Sequence, residues 1–255
     1  MKAKMLVILI GSIFFYSCDS DEPVQSTPEV IVEAVEKPVI VEIDTSVQQS
    51  LRYFNLVDIL SIDSTIQVEL KYATDDNFMG FVLYDTLNSV FLQQDVAVRV
   101  AGCQQFLKDS FPNYSLLIYD GVRPVDVQRQ MWDALDSIPP AARGKFVSNP
   151  WYGSVHNFGA AVDITLCNEL GVPLDMGAEY DDFRDIAFPS KEWKFLNSGE
   201  LTKEQHENRK LLRAVMKSQG FRNIPSEWWH FNACSRDQAV YKYKKLMFES
   251  GIRDQ

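Results

Sequence analysis

Two short blocks of sequence, each built around a histidine, most constrain how this chain can fold. The first is Ser-Val-His-Asn-Phe-Gly-Ala-Ala-Val-Asp at residues 154–163, and the second is Glu-Trp-Trp-His at residues 227–230. Catalytic zinc usually takes three protein ligands from His, Asp, Glu or Cys and leaves one position for water. If both blocks serve one zinc site, the fold has to bring distant parts of the chain together.

The local pattern around each block suggests how this happens. Residues 160–166 alternate as a strand does, so Asp163 lies on a strand and His156 lies in the loop before it. His230 would come from a second strand, which brings two nitrogens and one oxygen together. Glu227 lies three residues before His230 and can reach the site without taking the same ligand direction. A carboxylate there can take a proton from water and pass it to a leaving amine.

The histidines also have a purely structural interpretation, in which His156 and His230 are hydrogen-bonded core residues and Asp163 is a turn residue. The combined pattern favours the zinc site. The third histidine, His206, lies in the polar stretch Lys-Glu-Gln-His-Glu. We predict that His206 is a solvated surface residue.

The N-terminus resembles that of bacterial lipoproteins. Residues 1–4 are basic, and residues 5–15 form an apolar run of signal-peptide length, shorter than the roughly 20 residues of a membrane span. The run ends at Ser17-Cys18 and is followed by polar residues. We predict a signal peptide over 1–17, a lipid on Cys18, and export to a bacterial membrane, periplasmic or at the cell surface. The alternative is an ordinary secretory peptide with an incidental cysteine.

Negative charge is concentrated just after this cysteine. Residues 19–44 hold eight acids and one lysine, which gives −7 of the formal net charge of −10. With three prolines and no aromatic residue, the segment 18–50 is predicted to be an acidic tether, followed by one domain over 51–255. The domain is mildly acidic and has no basic stripe, so no nucleic-acid partner is predicted.

Three further cysteines, Cys103, Cys167 and Cys234, show no paired spacing of the kind that binds zinc. An exported protein permits one disulfide and one remaining thiol, and the sequence leaves the pairing open.

Local patterns predict an α+β domain. The expected helices cover residues 93–111, 124–135, 201–219 and 238–248, and the expected strands cover 116–119, 160–166 and 228–232. Helices collected around a few short strands indicate a small, mainly antiparallel sheet with packed helices.

The ordered set of motifs resembles the zinc D-Ala-D-Ala peptidases that share a fold with the Hedgehog signalling domain. Within them, the chain is most similar to the D-alanyl-D-alanine dipeptidases of the VanX type. The likeness rests on Ser-x-His-x-x-Gly-x-Ala-x-Asp followed by Glu-x-Trp-His, and it covers about residues 53–235. Four further segments agree in family order, at residues 72–80, 119–124, 163–166 and 173–177.

The resemblance implies roles for individual residues. It implies one zinc ion per chain, held by His156, Asp163 and His230, with Glu227 as general base and acid. It also implies that Arg123 stabilises charge on the substrate carbonyl as water adds. The alternative for Arg123 is a structural arginine bonded to carbonyls near its turn.

Substrate contacts follow from the same resemblance. Asp181 is similar to the acid that pairs with the free ammonium of the dipeptide, although the neighbouring Asp182 leaves a second choice. Ser154 and Tyr72 are expected to line the pocket.

The expected function is hydrolysis of a small D,D-dipeptide, D-alanyl-D-alanine, to two D-alanines. Export fits cell-wall turnover or nutrient recovery better than depletion of a cytoplasmic precursor pool. One alternative is a zinc D,D-carboxypeptidase, whose pocket is open on the amino side. Another is a non-catalytic, Hedgehog-like zinc-binding module, which has no chemical need for Glu227 or Arg123.

Overall fold

The structure, a computed structural model, describes residues 45–248, with side chains from Ser50 onward. The predicted signal peptide, the lipid site at Cys18 and most of the predicted tether lie outside these residues. The first described helix, α1 (Thr45–Phe54), begins within the segment predicted to be a tether. Ser50 and Leu51 on this helix are buried, so packed structure begins before residue 51. Among the described residues, no helix combines the length and apolarity that a membrane span requires.

Short helices and short strands alternate along the chain. After α1, the helices are α2 (Ile59–Ile62), α3 (Gln94–Ser110), α4 (Val125–Ala134), α5 (Pro140–Arg143), α6 (Glu192–Ser198), α7 (Lys203–Ser218) and α8 (Arg236–Lys242). The strands are β1 (Leu56–Asp58), β2 (Gln67–Val68), β3 (Phe91–Gln93), β4 (Ser115–Asp120), β5 (Ala161–Cys167), β6 (Arg222–Ile224) and β7 (Glu227–Asn232). Short 3-10 helices lie at Lys71–Ala73, Val155–Phe158, Asp185–Ala187 and Pro189–Lys191.

The main sheet has five strands in the order β2-β4-β5-β7-β6. Only β2 and β4 pair in parallel, and the other neighbours in this sheet are antiparallel. Strands β1 and β3 form a separate antiparallel pair. This arrangement confirms the predicted α+β class with a small, mainly antiparallel sheet.

The centre of the sheet lies in the core because β4 and β5 are apolar along most of their length. Every residue of both strands is buried. Helix α3 turns Val96, Val100, Cys103 and Leu107 inward at helical spacing, and it packs against β4 and α7. Helix α7 in turn packs against β5, so the strand that carries Asp163 is covered by helices.

The last helix is shorter than predicted, because α8 ends at Lys242 and not at residue 248. Tyr243 has extended backbone, and the N–H of Leu246 donates to the carbonyl of Asn157 at 2.8 Å. The carbonyl of Leu246 accepts from the N–H of Val125 at 3.0 Å. Leu246 is buried, so its backbone joins two other segments, which a continuing helix would not permit.

The prediction for His206 is wrong. Its side chain is buried, with its ring centroid 5.4 Å from that of Trp193 and Nε2 3.6 Å from a Glu192 oxygen. Glu192 is itself buried and accepts from Arg213 at 2.7 and 2.8 Å. His206 therefore belongs to a polar cluster between α6 and α7. Its sequence neighbours are polar because they face the solvent, but His206 faces a buried acid on another helix.

Cys103, Cys167 and Cys234 are all buried free thiols, so none of them forms a disulfide. Burial raises the pKa of the Cys103 thiol to about 12, so it stays protonated at neutral pH.

Gly159 provides a test of how this fold shapes the histidine loop. It ends the 3-10 helix Val155–Phe158 in the left-handed region, at φ 64°, and an added Cβ would lie 2.6 Å from Leu56 Cδ2. Gly171 also has positive φ, at 75°, but a Cβ added there would have no atom within 4 Å. Left-handed backbone costs a non-glycine residue roughly 1–2 kcal/mol. We expect Gly171→Ala to lower the free energy of unfolding by about that amount and Gly159→Ala to lower it further.

Urea denaturation followed by circular dichroism measures both losses. Equal losses in the two variants would contradict close packing of Gly159 against β1.

Candidate metal centre

Pairing of β5 with β7 brings the first two proposed ligands together. Asp163 lies directly opposite His230 in the antiparallel register. Side chains directly opposite each other project from the same face of a sheet, so both point to one side. His156 reaches that side from the 3-10 helix, whose first N–H groups are capped by the side chain of Ser154.

Three electron-pair donors converge at this point. His156 Nε2 lies 3.1 Å from His230 Nδ1 and 3.3 Å from Asp163 Oδ1. His230 Nδ1 lies 3.0 Å from the same Asp163 oxygen. A tetrahedral zinc ion with bonds of roughly 2.0–2.1 Å separates its ligands by about 3.3 Å. The three side chains therefore have the spacing that zinc requires.

The hydrogen bonds of the outer ring nitrogens fix the tautomer of each histidine. His156 Nδ1 lies 2.7 Å from the carbonyl oxygen of Gly121, which can only accept, so Nδ1 carries the hydrogen. His230 Nε2 lies 3.1 Å from Asn232 Oδ1 and donates in the same way. Both inward nitrogens are left with a lone pair beside a carboxylate, and a cation between them satisfies all three. The donor set fits zinc.

The second oxygen of Asp163 is also engaged. Oδ2 accepts from the hydroxyl of Tyr180 at 3.0 Å and from Arg123 Nη2 at 3.3 Å. Burial alone would raise the pKa of Asp163, but His156 and His230 hold that pKa well below its usual value. Asp163 is therefore a fixed anion with one oxygen directed at the histidines.

Arg123 is immobilised beside this anion. Its Nε and Nη2 donate to Asp120 Oδ2 at 2.9 and 2.6 Å, and its guanidinium lies 4.8 Å from the centre of the Tyr72 ring. Asp120 is completely buried and also accepts from the Tyr84 hydroxyl at 2.7 Å. The side chain of Arg123 thus binds carboxylates, and not the turn carbonyls of the alternative interpretation.

Glu227 begins β7 and lies at the edge of the same centre. Its Oε2 is 3.8 Å from His230 Nδ1, and its side chain is partly exposed. Burial raises the pKa of Glu227, which makes its carboxylate a better proton acceptor near neutral pH.

Asp181 lines one cavity together with the three candidate metal donors. The hydroxyl of Tyr72 donates to its Oδ2 at 3.0 Å, and Asp181 is held at φ 59°, an unusual conformation for a residue other than glycine. Burial, reinforced by the charge of Asp163, raises the pKa of Asp181 well above its usual value. The competing Asp182 instead pairs with Arg184 at 2.6 Å, so the structure separates the two acids.

The eight residues predicted to act in catalysis, bind metal or bind substrate all line one cavity of about 390 Å³. They are Tyr72, Arg123, Ser154, His156, Asp163, Asp181, Glu227 and His230. This volume lies near the lower end of the roughly 300–1,000 Å³ of ligand pockets, so the cavity suits a small substrate. Phe78, Phe146 and Phe183 form an aromatic wall, with Phe183 5.1 Å from Phe78 and 4.7 Å from Phe146 between ring centroids.

Several of the supporting groups were not among the residues predicted from the sequence. Asp120, three residues before Arg123, could have been found from the pairing of acid and base in one turn. Tyr180 and Asn232 gave no such signal, because their roles depend on which strand or loop faces them. Phe146 and Phe183 come from separate loops and meet only in the folded chain.

Comparison with known proteins gives a consistent result. Residues 52–250 match a family described as D-ala-D-ala dipeptidase. A D-alanyl-D-alanine dipeptidase of Escherichia coli (strain K12) is 34% identical over 179 residues, which cover 69% of this chain and 83% of the relative. A D-alanyl-D-alanine dipeptidase of Synechocystis sp. is 29% identical over 176 residues, 58% of this chain and 71% of the relative.

A solved structure of VanYB in complex with D-Alanine-D-Alanine has a TM-score of 0.38 and 13% identity to this chain. The match covers 61% of this chain and 78% of the VanYB chain.

The geometry of the three donors leads to a prediction about metal content. We expect His156→Ala and His230→Ala to lose zinc, because each removes one donor from a three-ligand site. Elemental analysis after dialysis measures the loss. His206→Ala is the matched control, since His206 is also buried but lies between α6 and α7. Zinc retained at the wild-type level in both site variants would contradict the assignment.

Proposed function

The chain belongs to the D-Ala-D-Ala dipeptidase family of zinc peptidases, and on this basis we propose that it hydrolyses D-alanyl-D-alanine to two D-alanines. One observation connects the proposal to individual residues. A single small cavity is lined by the three metal donors, the acid Glu227, the cation Arg123 and the second acid Asp181.

His156, Asp163 and His230 would hold one zinc ion per chain. When bound, zinc supplies Lewis acidity, which lowers the pKa of water and polarises a carbonyl. The chain's contribution is to fix the three donors: hydrogen bonds from the two rings to Gly121 and Asn232 orient the histidines, and Tyr180 orients the carboxylate.

Glu227 would move the protons. It lies beside the three metal donors but is not one of them. Its carboxylate is therefore available to a water molecule that attacks the peptide carbon. As the carbon–oxygen bond forms, Glu227 accepts the proton. It then donates this proton to the nitrogen of the second D-alanine as the carbon–nitrogen bond breaks.

Arg123 would stabilise negative charge on the carbonyl oxygen. Because Asp120 already holds the guanidinium in place, little reorganisation is needed when that charge develops. A module that only binds metal gains nothing from Glu227 and Arg123 in these positions, which argues against the non-catalytic alternative.

Asp181 would bind the ammonium group of the dipeptide. Within residues 45–248 it forms no ion pair, so a bound ammonium would provide the cation that this partly buried carboxylate lacks. A longer wall peptide has an acylated nitrogen at that point and cannot supply the charge. Asp181 therefore favours a dipeptidase over a D,D-carboxypeptidase.

The proposed chemistry predicts the effect of a single isosteric change. Glu227→Gln keeps the size of the side chain but cannot accept a proton, so we expect D-Ala-D-Ala hydrolysis to fall about 10²–10⁴-fold. Zinc content and fold should be unchanged. The measurement is release of D-alanine by purified protein, with and without chelator. Glu207→Gln, which alters an exposed acid on α7, is the control.

More than a tenth of wild-type activity in Glu227→Gln would contradict the proposed proton transfer. N-acetyl-D-Ala-D-Ala separates the two peptidase activities, because it has no ammonium. Hydrolysis of the acetylated substrate as fast as the free dipeptide would favour the carboxypeptidase.

We also propose that the chain is exported and anchored to a bacterial membrane by lipid on Cys18, where it acts in cell-wall turnover. The support is the sequence of residues 1–18 alone. Wild-type protein should partition with membranes after expression in bacteria, and Cys18→Ala should release it, as measured by fractionation and immunoblotting. Wild-type protein found only in the soluble fraction would contradict the anchor and leave the enzymatic proposal intact.

A further inference from the structure

A second arginine, Arg236, lines the cavity and has no part in the proposed metal binding, proton transfer or charge stabilisation. It is the first residue of α8, shortly after β7 ends. Helix α8 packs against the 3-10 helix Val155–Phe158, which carries His156. Arg236 therefore lines the cavity from a helix that contacts the element carrying His156.

Arg236 differs from Arg123 in having no hydrogen-bond or ion-pair partner among the described residues. Arg123 is buried and bound to Asp120 and Asp163. Arg236 is exposed, and within the described part of the chain its guanidinium has no hydrogen bond or ion pair. Of the arginine and lysine side chains that the structure describes, only these two line the cavity. A free guanidinium offers a rigid fork of donors that matches a carboxylate.

One acidic and one basic side chain in the cavity have no ion-pair partner among the described residues. Their charges are opposite to those at the two ends of a dipeptide. Within the part of the chain that the structure describes, Asp181 is an acid with no ion pair that accepts from the Tyr72 hydroxyl, and Arg236 is a base with no ion pair, and both line the cavity. A dipeptide carries an ammonium at one end and a carboxylate at the other, about 7 Å apart in an extended chain of two residues. The cavity thus provides one partner for each terminal charge.

We infer that Arg236 binds the C-terminal carboxylate of the substrate, which makes its part of the cavity a carboxylate subsite. The inference rests on the proposed function, since it takes a dipeptide as the ligand. Ser154 lines the same cavity, and its oxygen accepts from the N–H of His156 at 3.3 Å, so its hydroxyl hydrogen remains available to the same carboxylate. Arg236 and Ser154 hold the second residue of the substrate, while Asp181 holds the first.

The test compares a substrate with and without this carboxylate. We expect Arg236→Ala to raise KM for D-Ala-D-Ala roughly ten- to a hundredfold, the effect of losing a charge-assisted hydrogen-bonded pair. KM for D-Ala-D-alaninamide, which has no terminal charge, should change little. The turnover number should also change little, because the contact is made equally before and during reaction.

Two further variants sharpen this comparison. Arg236→Lys should recover part of the loss, since it keeps the charge but not the planar fork. Arg129→Ala removes one positive charge from the exposed surface of α4, outside the cavity, and should leave both KM values unchanged.

Direct binding separates failure of this inference from failure of the proposed function. Calorimetry with D-Ala-D-Ala on zinc-loaded Glu227→Gln, with and without Arg236→Ala, measures affinity in the absence of turnover. Weaker binding in the double variant supports the subsite even if wild-type protein releases no D-alanine. The absence of D-alanine release would contradict only the proposed hydrolysis. Unchanged affinity and KM overturn the subsite. Equal losses for the free acid and the amide also overturn it, as does the absence of any binding to Glu227→Gln.

Discussion

The register between β5 and β7 is the constraint on which the candidate metal centre depends. It places Asp163 opposite His230, and the register between β4 and β5 places Asp120 opposite Asp163. Three polar residues thus lie in a row across three buried strands. Because side chains alternate along a strand, a slip of one residue would turn Asp163 to the opposite face. The apolar residues on either side of Asp163 prevent this slip, since they would have to exchange places with a charge. Burial of the sheet therefore fixes the geometry of the site.

Burying several charges together is tolerated because they satisfy one another. Asp120 accepts from Tyr84 through one oxygen and from Arg123 through the other. Asp163 is divided similarly, with one oxygen facing the histidines and the other accepting from Tyr180 and Arg123. Removing one member of such a group leaves a buried charge without a partner, which typically costs about 3–5 kcal/mol. Asp120 and one oxygen of Asp163 thus have all their partners within the protein. The other oxygen of Asp163 and the inward histidine nitrogens are available to a ligand.

The convergence of His156, Asp163 and His230 could be predicted from the sequence because much of their spacing is local. His156 and Asp163 lie in one loop and strand, and Glu227 and His230 lie on another strand, so alternation and loop length already restrict them. Tyr180 could not be predicted, because its contact with Asp163 depends on the path of a long loop. The error at His206 has a related cause: its exposed neighbours dominate the local pattern, whereas the buried Glu192 that it faces comes from a different helix.

The helix on which the prediction for His206 was wrong also bears on function, because it positions the loop that carries Tyr180 and Asp181. Helix α7, which carries His206, also holds that loop: Asn208 donates to the carbonyl of Asp175 at 2.9 Å, and Arg209 donates to the carbonyl of Met176 at 2.6 Å. These bonds fix the backbone a few residues before Asp181, whose left-handed conformation is costly and persists only where the surroundings determine it. A polar, inward face on α7 is therefore part of what places Asp181 in the cavity. The position of the proposed ammonium-binding acid depends on a helix that contributes no residue to the cavity itself.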